Sequence, residues 1–272
     1  RSIRTSGAGR TGYQAYDAAV TDAAKRFLSE RDPAGPPFLL TVGYVLPHAP
    51  FVAPRDDYDL YDDEISVEDL PADDPRTLHP ELQRLRREAE LDVPEAAPLE
   101  DQRRARVAYY GLCTYLDRLI GQVLDELQRA GLADDTIVVY TSDHGEQLGE
   151  HGMWWKHTFY DASVGVPLII AGPGVPAGRV GQENVGLIDI GPTLLDMVGA
   201  RAIPGASGAS FRCLLDGDEA DWHDTVIAEN LWPANRKQLQ RMIRQGPWKL
   251  CHYPGCAPQL FNLDDDPEED HD

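Results

Sequence analysis

The chain has 272 residues, 42% of them hydrophobic, which is enough to bury the core of one or two globular domains. Its 25 Lys and Arg residues stand against 46 Asp and Glu residues, which gives a formal net charge of -21. Such an acidic surface repels a nucleic-acid backbone and an anionic membrane, so we expect neither as a partner. The uncharged stretch at residues 162–178 is broken by prolines and glycines, and predicts strand and loops rather than a membrane span.

The first 200 residues alternate between helical and strand patterns. Apolar residues recur at helical spacing over 13–30, 107–127 and 188–198. Continuous apolar or β-branched runs of strand length occupy 38–45, 135–141 and 166–171. This alternation predicts an α/β fold with a mainly parallel sheet sandwiched by helices. Between these elements, residues 51–99 are rich in Pro, Asp and Glu, and predict a surface excursion with one short helix near 81–90.

The pattern changes beyond Gly199. Short runs separated by turn residues predict a small antiparallel sheet, with strands at 225–229, 241–243, 248–253 and 259–263. The acidic end, residues 264–272, has no apolar periodicity and predicts a turn followed by a frayed tail. We therefore predict an α/β domain over 1–205 and a C-terminal α+β subdomain over 206–272.

Two side chains with metal-ligand chemistry follow the predicted strand at 135–141. Asp143 and His144 are adjacent, and Gly145 after them lets the chain turn sharply. Open α/β sheets bind ligands at the carboxyl ends of their strands. A carboxylate with one imidazole suits Ca²⁺, Mg²⁺, Mn²⁺ or Zn²⁺, and two ligands do not choose among them. The alternative is an Asp-His pair that only caps the turn.

Lys156 and His48 are candidates for contact with an anionic substrate. Lys156 is one of four lysines and follows Trp154 and Trp155, where an ammonium group can hold an anion or assist a leaving oxygen. A surface lysine with its stem along apolar side chains is the alternative. His48 lies in a Pro-flanked loop, where it can donate a proton or simply complete a hydrogen-bonded turn. The two tryptophans can line a pocket or pack in the core.

Several segments, in order along nearly the whole chain, resemble the sulfatase family of the alkaline phosphatase superfamily. They are residues 46–51, 136–146, 148–152, 166–168, 188–195 and 260–264, together with Lys156. The resemblance implies that Asp143 and His144 are metal ligands, normally for Ca²⁺ with Mg²⁺ or Mn²⁺ possible, and that Lys156 and His48 contact the sulfate and the leaving-group oxygen. It also implies an incomplete alkaline-phosphatase-like α/β domain with a small C-terminal sheet, and a small-molecule or saccharide sulfate ester as substrate.

The family's nucleophile does not occur in this sequence. It is a cysteine converted to formylglycine in a C-x-P-S-R motif, and the nearest string here, residues 256–260, lacks the arginine and lies near the C-terminus. Cys113 and Cys213 are interpreted as inert thiols, and His151 and His157 as structural or peripheral. We therefore expect a fragment of a sulfuric ester hydrolase, inactive alone, whose nucleophile lies upstream. The alternatives are a phosphonate monoester or phosphodiester hydrolase, or a catalytically inactive truncated product.

Overall fold

The computed structural model describes residues 3–66, 78–89, 98–218, 222–231 and 239–272. The chain divides into two compact units: the first unit is Arg1–Ile137 with Gln147–Trp155, and the second unit is Val138–Glu146 with Lys156–Asp272. The domain boundary expected between residues 205 and 206 stays a prediction. Of the expected excursion over 51–99, residues 67–77 and 90–97 lie outside the described residues.

The helices and strands alternate along the chain. The helices are α1 (Gly12–Ser29), α2 (Arg55–Tyr58), α3 (Pro80–Glu88), α4 (Leu99–Arg129), α5 (Asp161–Val164), α6 (Leu187–Met197) and α7 (Arg212–Asp216). The strands are β1 (Gly7–Ala8), β2 (Val52–Ala53), β3 (Val138–Thr141), β4 (Gln147–Leu148), β5 (Trp154–Trp155), β6 (Leu168–Ala171), β7 (Thr225–Asn230), β8 (Gln240–Gln245), β9 (Trp248–His252) and β10 (Gln259–Asn262). Among the described residues, none of these helices has both the length and the apolar character needed to cross a membrane.

The core of the first unit forms where α4 packs on α1 and on the segment around β2. Small residues let the backbones of α4 and β2 approach closely. A Cβ at Gly111 of α4 would lie 2.9 Å from the side chain of Ala53 in β2. The hairpin β4–β5 adds Leu148 and Trp154 to the same cluster. The predicted helices over 13–30 and 107–127 are confirmed as α1 and α4. Helix α4 ends at Arg129 and is followed by Gly131, which has a positive φ of 70°.

The buried face of α1 is more polar than its apolar spacing predicts. Gln14, Asp17 and Thr21 are buried on it, whereas the aromatic Tyr16 of the same helix is 55% exposed. Gln14 and Asp17 are buried because they bind the backbone of neighbouring segments, whereas the Thr21 hydroxyl donates to the Asp17 carbonyl of its own helix and contacts the Tyr44 hydroxyl. The Asp17 carboxylate, for example, accepts hydrogen bonds from the backbone amides of Val45 and Leu46, both at 2.9 Å.

The apolar run at residues 38–45 has no partner strand among the described residues. Leu39 is 87% exposed, so the expectation of a strand buried on both faces is wrong for this segment. A strand buries both faces only when neighbouring strands and covering helices surround it. Here alternate side chains stay exposed because the described part of the chain supplies no such neighbours.

In the second unit, β3 and β6 form an antiparallel pair in which Val138 faces Ala171 and Thr141 faces Leu168. Both strands were predicted, but the alternation of elements predicts a parallel arrangement. A parallel pair needs a crossover, usually through a helix of several turns. The fully described connection here, residues 142–167, contains the β4–β5 hairpin and no α-helix longer than the four-residue α5. The predicted helix over 188–198 is confirmed as α6.

The C-terminal antiparallel sheet is confirmed, with strand order β10–β9–β8–β7. Its strands alternate between a buried inner face, which carries Met242, Lys249, Cys251 and Phe261, and an outer face. On the outer face an apolar row crosses all four strands, made of Ile227, Ile243, Leu250 and Leu260. We call these four residues the outer apolar row.

The acidic tail is ordered, and the prediction of frayed residues after 264 is wrong. Glu269 is 4% exposed, and its carboxylate contacts Lys249. The backbone amide of His271 donates to Asp266 at 2.9 Å. A buried cation on the sheet therefore holds a tail whose sequence has no apolar pattern.

Candidate active site

Asp143 and His144 lie in a turn directly after β3, at the carboxyl end of the strand. The Ser142 hydroxyl donates to the His144 carbonyl oxygen at 3.0 Å, and the His144 amide donates to Asp143 Oδ1 at 3.1 Å. These bonds place Asp143 Oδ2 3.7 Å from His144 Nε2. The turn that the alternative interpretation requires is therefore present, and it brings the two candidate ligands together.

The donor set fits a divalent cation but does not complete its coordination. His144 Nδ1 donates to the Gly145 carbonyl at 2.8 Å, which makes Nε2 the lone-pair nitrogen of the neutral ring. The Asp143 side chain is 86% exposed, so its carboxylate can turn toward an ion. In the part of the chain that the structure describes, no group of three or more histidines, cysteines or carboxylates could hold a metal ion. A complete site needs further ligands.

Gly145 fixes this turn against α5. Its amide donates to the Ser163 carbonyl at 2.8 Å, and a Cβ at position 145 would lie 2.2 Å from the Ala162 carbonyl oxygen. That distance is shorter than any non-bonded carbon–oxygen contact. Only glycine at position 145 therefore allows the backbones of the turn and α5 to approach this closely. The position of α5 therefore determines where Asp143 and His144 lie.

Glu146, Lys156 and His157 are electrostatically coupled in the same unit. Burial raises the pKa of Glu146 to about 7, and the positive charge of Lys156 opposes this rise. Burial, together with the charges of Lys156 and His144, lowers the pKa of His157 to about 4. At neutral pH His157 is therefore uncharged.

Glu146 was not predicted as a site residue, whereas His157 was interpreted as structural or peripheral. The Glu146 Oε1 atom is buried and has no hydrogen-bond partner among the residues that the structure describes. Its place directly after the S-D-H-G string was the available signal. The His157 carbonyl accepts a hydrogen bond from Asn230 Nδ2 at 2.9 Å, which ties this segment to the end of β7.

His48 belongs to the first unit and is described there by itself. Its amide donates to the Val45 carbonyl at 3.1 Å, and its Nδ1 lies 2.7 Å from the Ala49 carbonyl oxygen. The ring meets Tyr13 edge-on at a centroid distance of 6.3 Å. His48 is thus a hydrogen-bonded loop histidine, and its catalytic role stays a prediction.

Trp154 and Trp155 have packing roles in the first unit, and the four cysteines carry free thiols. Trp154 is buried in the core of the first unit, and Trp155 packs against that core. Cys113 and Cys251 are free thiols, and burial raises their pKa values to about 11 and about 12. The interpretation of Cys113 as an inert thiol is consistent with this shift.

The chain belongs to the sulfatase family, because the family model described as Sulfatase matches residues 3–200. A second model, described as N-sulphoglucosamine sulphohydrolase, C-terminal, matches residues 149–272. The chain is 34% identical over 276 residues to choline-sulfatase of Rhizobium meliloti (strain 1021), covering 95% of this chain and 51% of that protein. It thus spans about half the length of this curated relative.

Solved structures show the same fold. Phosphonate monoester hydrolase of Agrobacterium radiobacter is 28% identical with a TM-score of 0.76, over 93% of this chain and 55% of that one. A structure in complex with its substrate D-glucosamine-2-N,6-O-disulfate is 24% identical with a TM-score of 0.72, over 94% of this chain and 64% of that one. The predicted alkaline-phosphatase-like fold class is thereby confirmed.

Proposed function

We propose that the full-length protein is a sulfuric ester hydrolase that releases inorganic sulfate from an organic sulfate ester. The observation that carries this proposal is the turn after β3 in a member of the sulfatase family. There Asp143 and His144 hold a carboxylate oxygen and an imidazole nitrogen 3.7 Å apart. Lys156 supplies a cation in the same unit.

Asp143 and His144 would hold a divalent cation, with Ca²⁺ as our first choice and Mg²⁺ or Mn²⁺ as alternatives. When bound, the cation acts as a Lewis acid that withdraws negative charge from the sulfate group. His144 would bind it through Nε2, because Nδ1 is occupied by the Gly145 carbonyl. The remaining ligands would come from residues outside this turn.

Lys156 would donate from its ammonium group to a sulfate oxygen or to the leaving-group oxygen, where negative charge increases during cleavage. His48 would protonate the leaving-group oxygen. Its Nδ1 faces the Ala49 carbonyl at 2.7 Å, so Nε2 is the nitrogen that would carry this proton. Both roles rest on the resemblance of the surrounding residues to the family.

The proposal places the formylglycine nucleophile outside these 272 residues. Cys113, Cys213 and Cys251 are poor candidates because none of them is followed by the x-P-S-R sequence of the family's motif. Cys256 lacks the arginine that follows the family's cysteine.

The test is sulfate release by the full-length protein from 4-nitrophenyl sulfate, choline sulfate and sulfated saccharides, with Ca²⁺ and after chelation. We expect turnover that chelation abolishes, and loss of both calcium binding and turnover in Asp143→Ala. Asp134→Ala, which removes an exposed carboxylate just before β3, is the matched control and should behave as wild type. A full-length protein that binds Ca²⁺ yet leaves every sulfate ester intact would refute the proposal and favour a catalytically inactive product.

A phosphonate monoester or phosphodiester hydrolase is the second candidate. The observation that favours it is the 28% identity to the phosphonate monoester hydrolase described above. Sulfate and phosphonate monoesters carry similar negative charge, which a metal and a lysine can stabilise in either case. A kcat/KM for a phenylphosphonate ester that exceeds the value for 4-nitrophenyl sulfate would favour this candidate.

A further inference from the structure

A lysine of the C-terminal sheet is completely buried between two carboxylates. Lys249 on β9 is 0% exposed, and its Nζ lies 2.6 Å from Asp161 Oδ1 and 2.6 Å from Glu269 Oε1. Arg244 Nη1 lies 3.0 Å from Asp161 Oδ2 and adds a second cation. These four residues, which we call the Lys249 cluster, therefore balance two positive and two negative charges.

Burying such a cluster is costly, because each ion loses its hydration. Apolar side chains of similar volume often stabilise a fold equally well. What ion pairs add is direction, since each bond fixes the orientation of both partners. The Lys249 cluster thus suits a role in which the placement of a segment matters.

The segment that the cluster holds is α5. Asp161 is the first residue of this helix, and its backbone amide donates to Glu269 Oε2 at 2.5 Å. Just before the helix, the Tyr160 ring packs on Phe261 of β10 at a centroid distance of 6.3 Å. The tail therefore holds the backbone of α5, while the sheet holds its first side chain and the Tyr160 ring just before it.

The other end of α5 holds the turn with the candidate metal ligands. The Ser163 carbonyl accepts the Gly145 amide at 2.8 Å, and the space for a Cβ at Gly145 is filled by the Ala162 carbonyl. A shift of α5 must therefore break this hydrogen bond or move residues 143–145 with it. This gives a continuous series of contacts from Lys249 to His144.

We propose that Asp161, Lys249 and Glu269 are positioning residues for Asp143 and His144. The inference rests on the proposed function for the roles of Asp143 and His144, and on the contacts above for the positioning. It assigns the buried lysine of the C-terminal sheet to the placement of the metal ligands, through α5 and Gly145.

The experiment compares local and global effects in the full-length protein. Amide hydrogen exchange is followed by mass spectrometry in peptides covering 143–146, with α4 as an internal reference, and urea unfolding gives global stability. We expect Asp161→Asn to speed exchange at 143–146 at least tenfold, with exchange in α4 unchanged. Arg241→Gln is the matched control, because it removes an arginine from β8 whose ion pair with Glu229 is exposed. Arg241→Gln should change amide exchange neither at 143–146 nor in α4.

A double substitution separates positioning from stability. Lys249→Met alone leaves Glu269 buried without its cation, and should lower the urea midpoint strongly. Lys249→Met with Glu269→Gln removes both charges, and should restore much of the midpoint. Exchange at 143–146 should nevertheless stay at least threefold faster than in wild type, because the lysine bond to Asp161 is lost. A return of this exchange to the wild-type rate would overturn the inference.

Two further results would also overturn it: unchanged exchange at 143–146 in Asp161→Asn, or equal acceleration at 143–146 and in α4. In an active protein we expect Asp161→Asn to lower kcat at least tenfold while KM stays within twofold, because the substrate contacts remain. Exchange needs no substrate, so an inactive wild type with the expected local exchange counts only against the proposed function. An active wild type whose Asp161→Asn variant exchanges normally counts only against the positioning.

Discussion

Replacing Asp17 should destabilise the first unit and loosen the loop that carries His48. In wild type, the buried carboxylate accepts the amides of Val45 and Leu46, each at 2.9 Å. Asp17→Ala leaves the Leu46 amide unpaired in a fully buried place and the Val45 amide unpaired in a half-buried one. An unsatisfied buried amide costs about 1–3 kcal/mol, so we expect a loss of about 2–4 kcal/mol in the free energy of unfolding.

The same substitution should act locally on the histidine loop. The turn with His48 begins at Val45, whose carbonyl accepts the His48 amide at 3.1 Å. Asp17→Asn keeps one acceptor oxygen and should cost about half as much as Asp17→Ala.

Urea unfolding measures the stability loss, and amide exchange at residues 44–48 measures the local effect. Asp22→Asn, on the exposed side of α1, is the control and should leave both unchanged. If Asp17→Ala unfolds at the same urea concentration as Asp22→Asn, the reasoning is refuted.

Three more outcomes can be checked on the purified protein. Burial raises the pKa of Cys251 to about 12, so the thiolate fraction of Cys251 at pH 8 is about 10⁻⁴. Iodoacetamide should therefore label Cys251 far more slowly than the partly exposed Cys256. Peptide mass mapping measures both labelling rates, and equal rates would contradict this prediction. Gly111→Ala should lower the free energy of unfolding in urea by about 1–2 kcal/mol, because the added Cβ would lie 2.9 Å from the Ala53 side chain. Gly121→Ala in the same helix places its Cβ in open space and should raise the free energy of unfolding by about 0.5–1 kcal/mol. Leu250→Thr in the outer apolar row should reduce binding of an apolar fluorescent dye and change stability by less than about 1 kcal/mol; unchanged dye fluorescence would place the binding elsewhere.

The regular elements could be predicted where one period of apolar residues continues over several turns or strands. Helix α4 and the C-terminal sheet are examples, since burial there follows the spacing of apolar side chains. The turn with Asp143 and His144 could also be located, because it follows a β-branched run and precedes a glycine.

Other features depend on partners far away in sequence. The burial of Asp17 in α1 depends on amides 28 and 29 residues further on, and no helical pattern encodes that. The ordered tail depends in the same way on Lys249, which is 20 residues before Glu269. Glu146 shows a third case, since only burial distinguishes it from the many exposed carboxylates of this acidic chain.

The route of the chain between the two units limits how the gene could be divided. The hairpin β4–β5 belongs to the first unit, yet residues on both sides of it belong to the second. A cut after Ile137 would remove Leu148 and Trp154 from the core of the first unit. In the C-terminal polypeptide, residues 138–272, the same two side chains would lack the apolar partners of that core. Expression of the halves as separate polypeptides should therefore fail for both, whereas co-expression that lets the hairpin find its core could restore assembly.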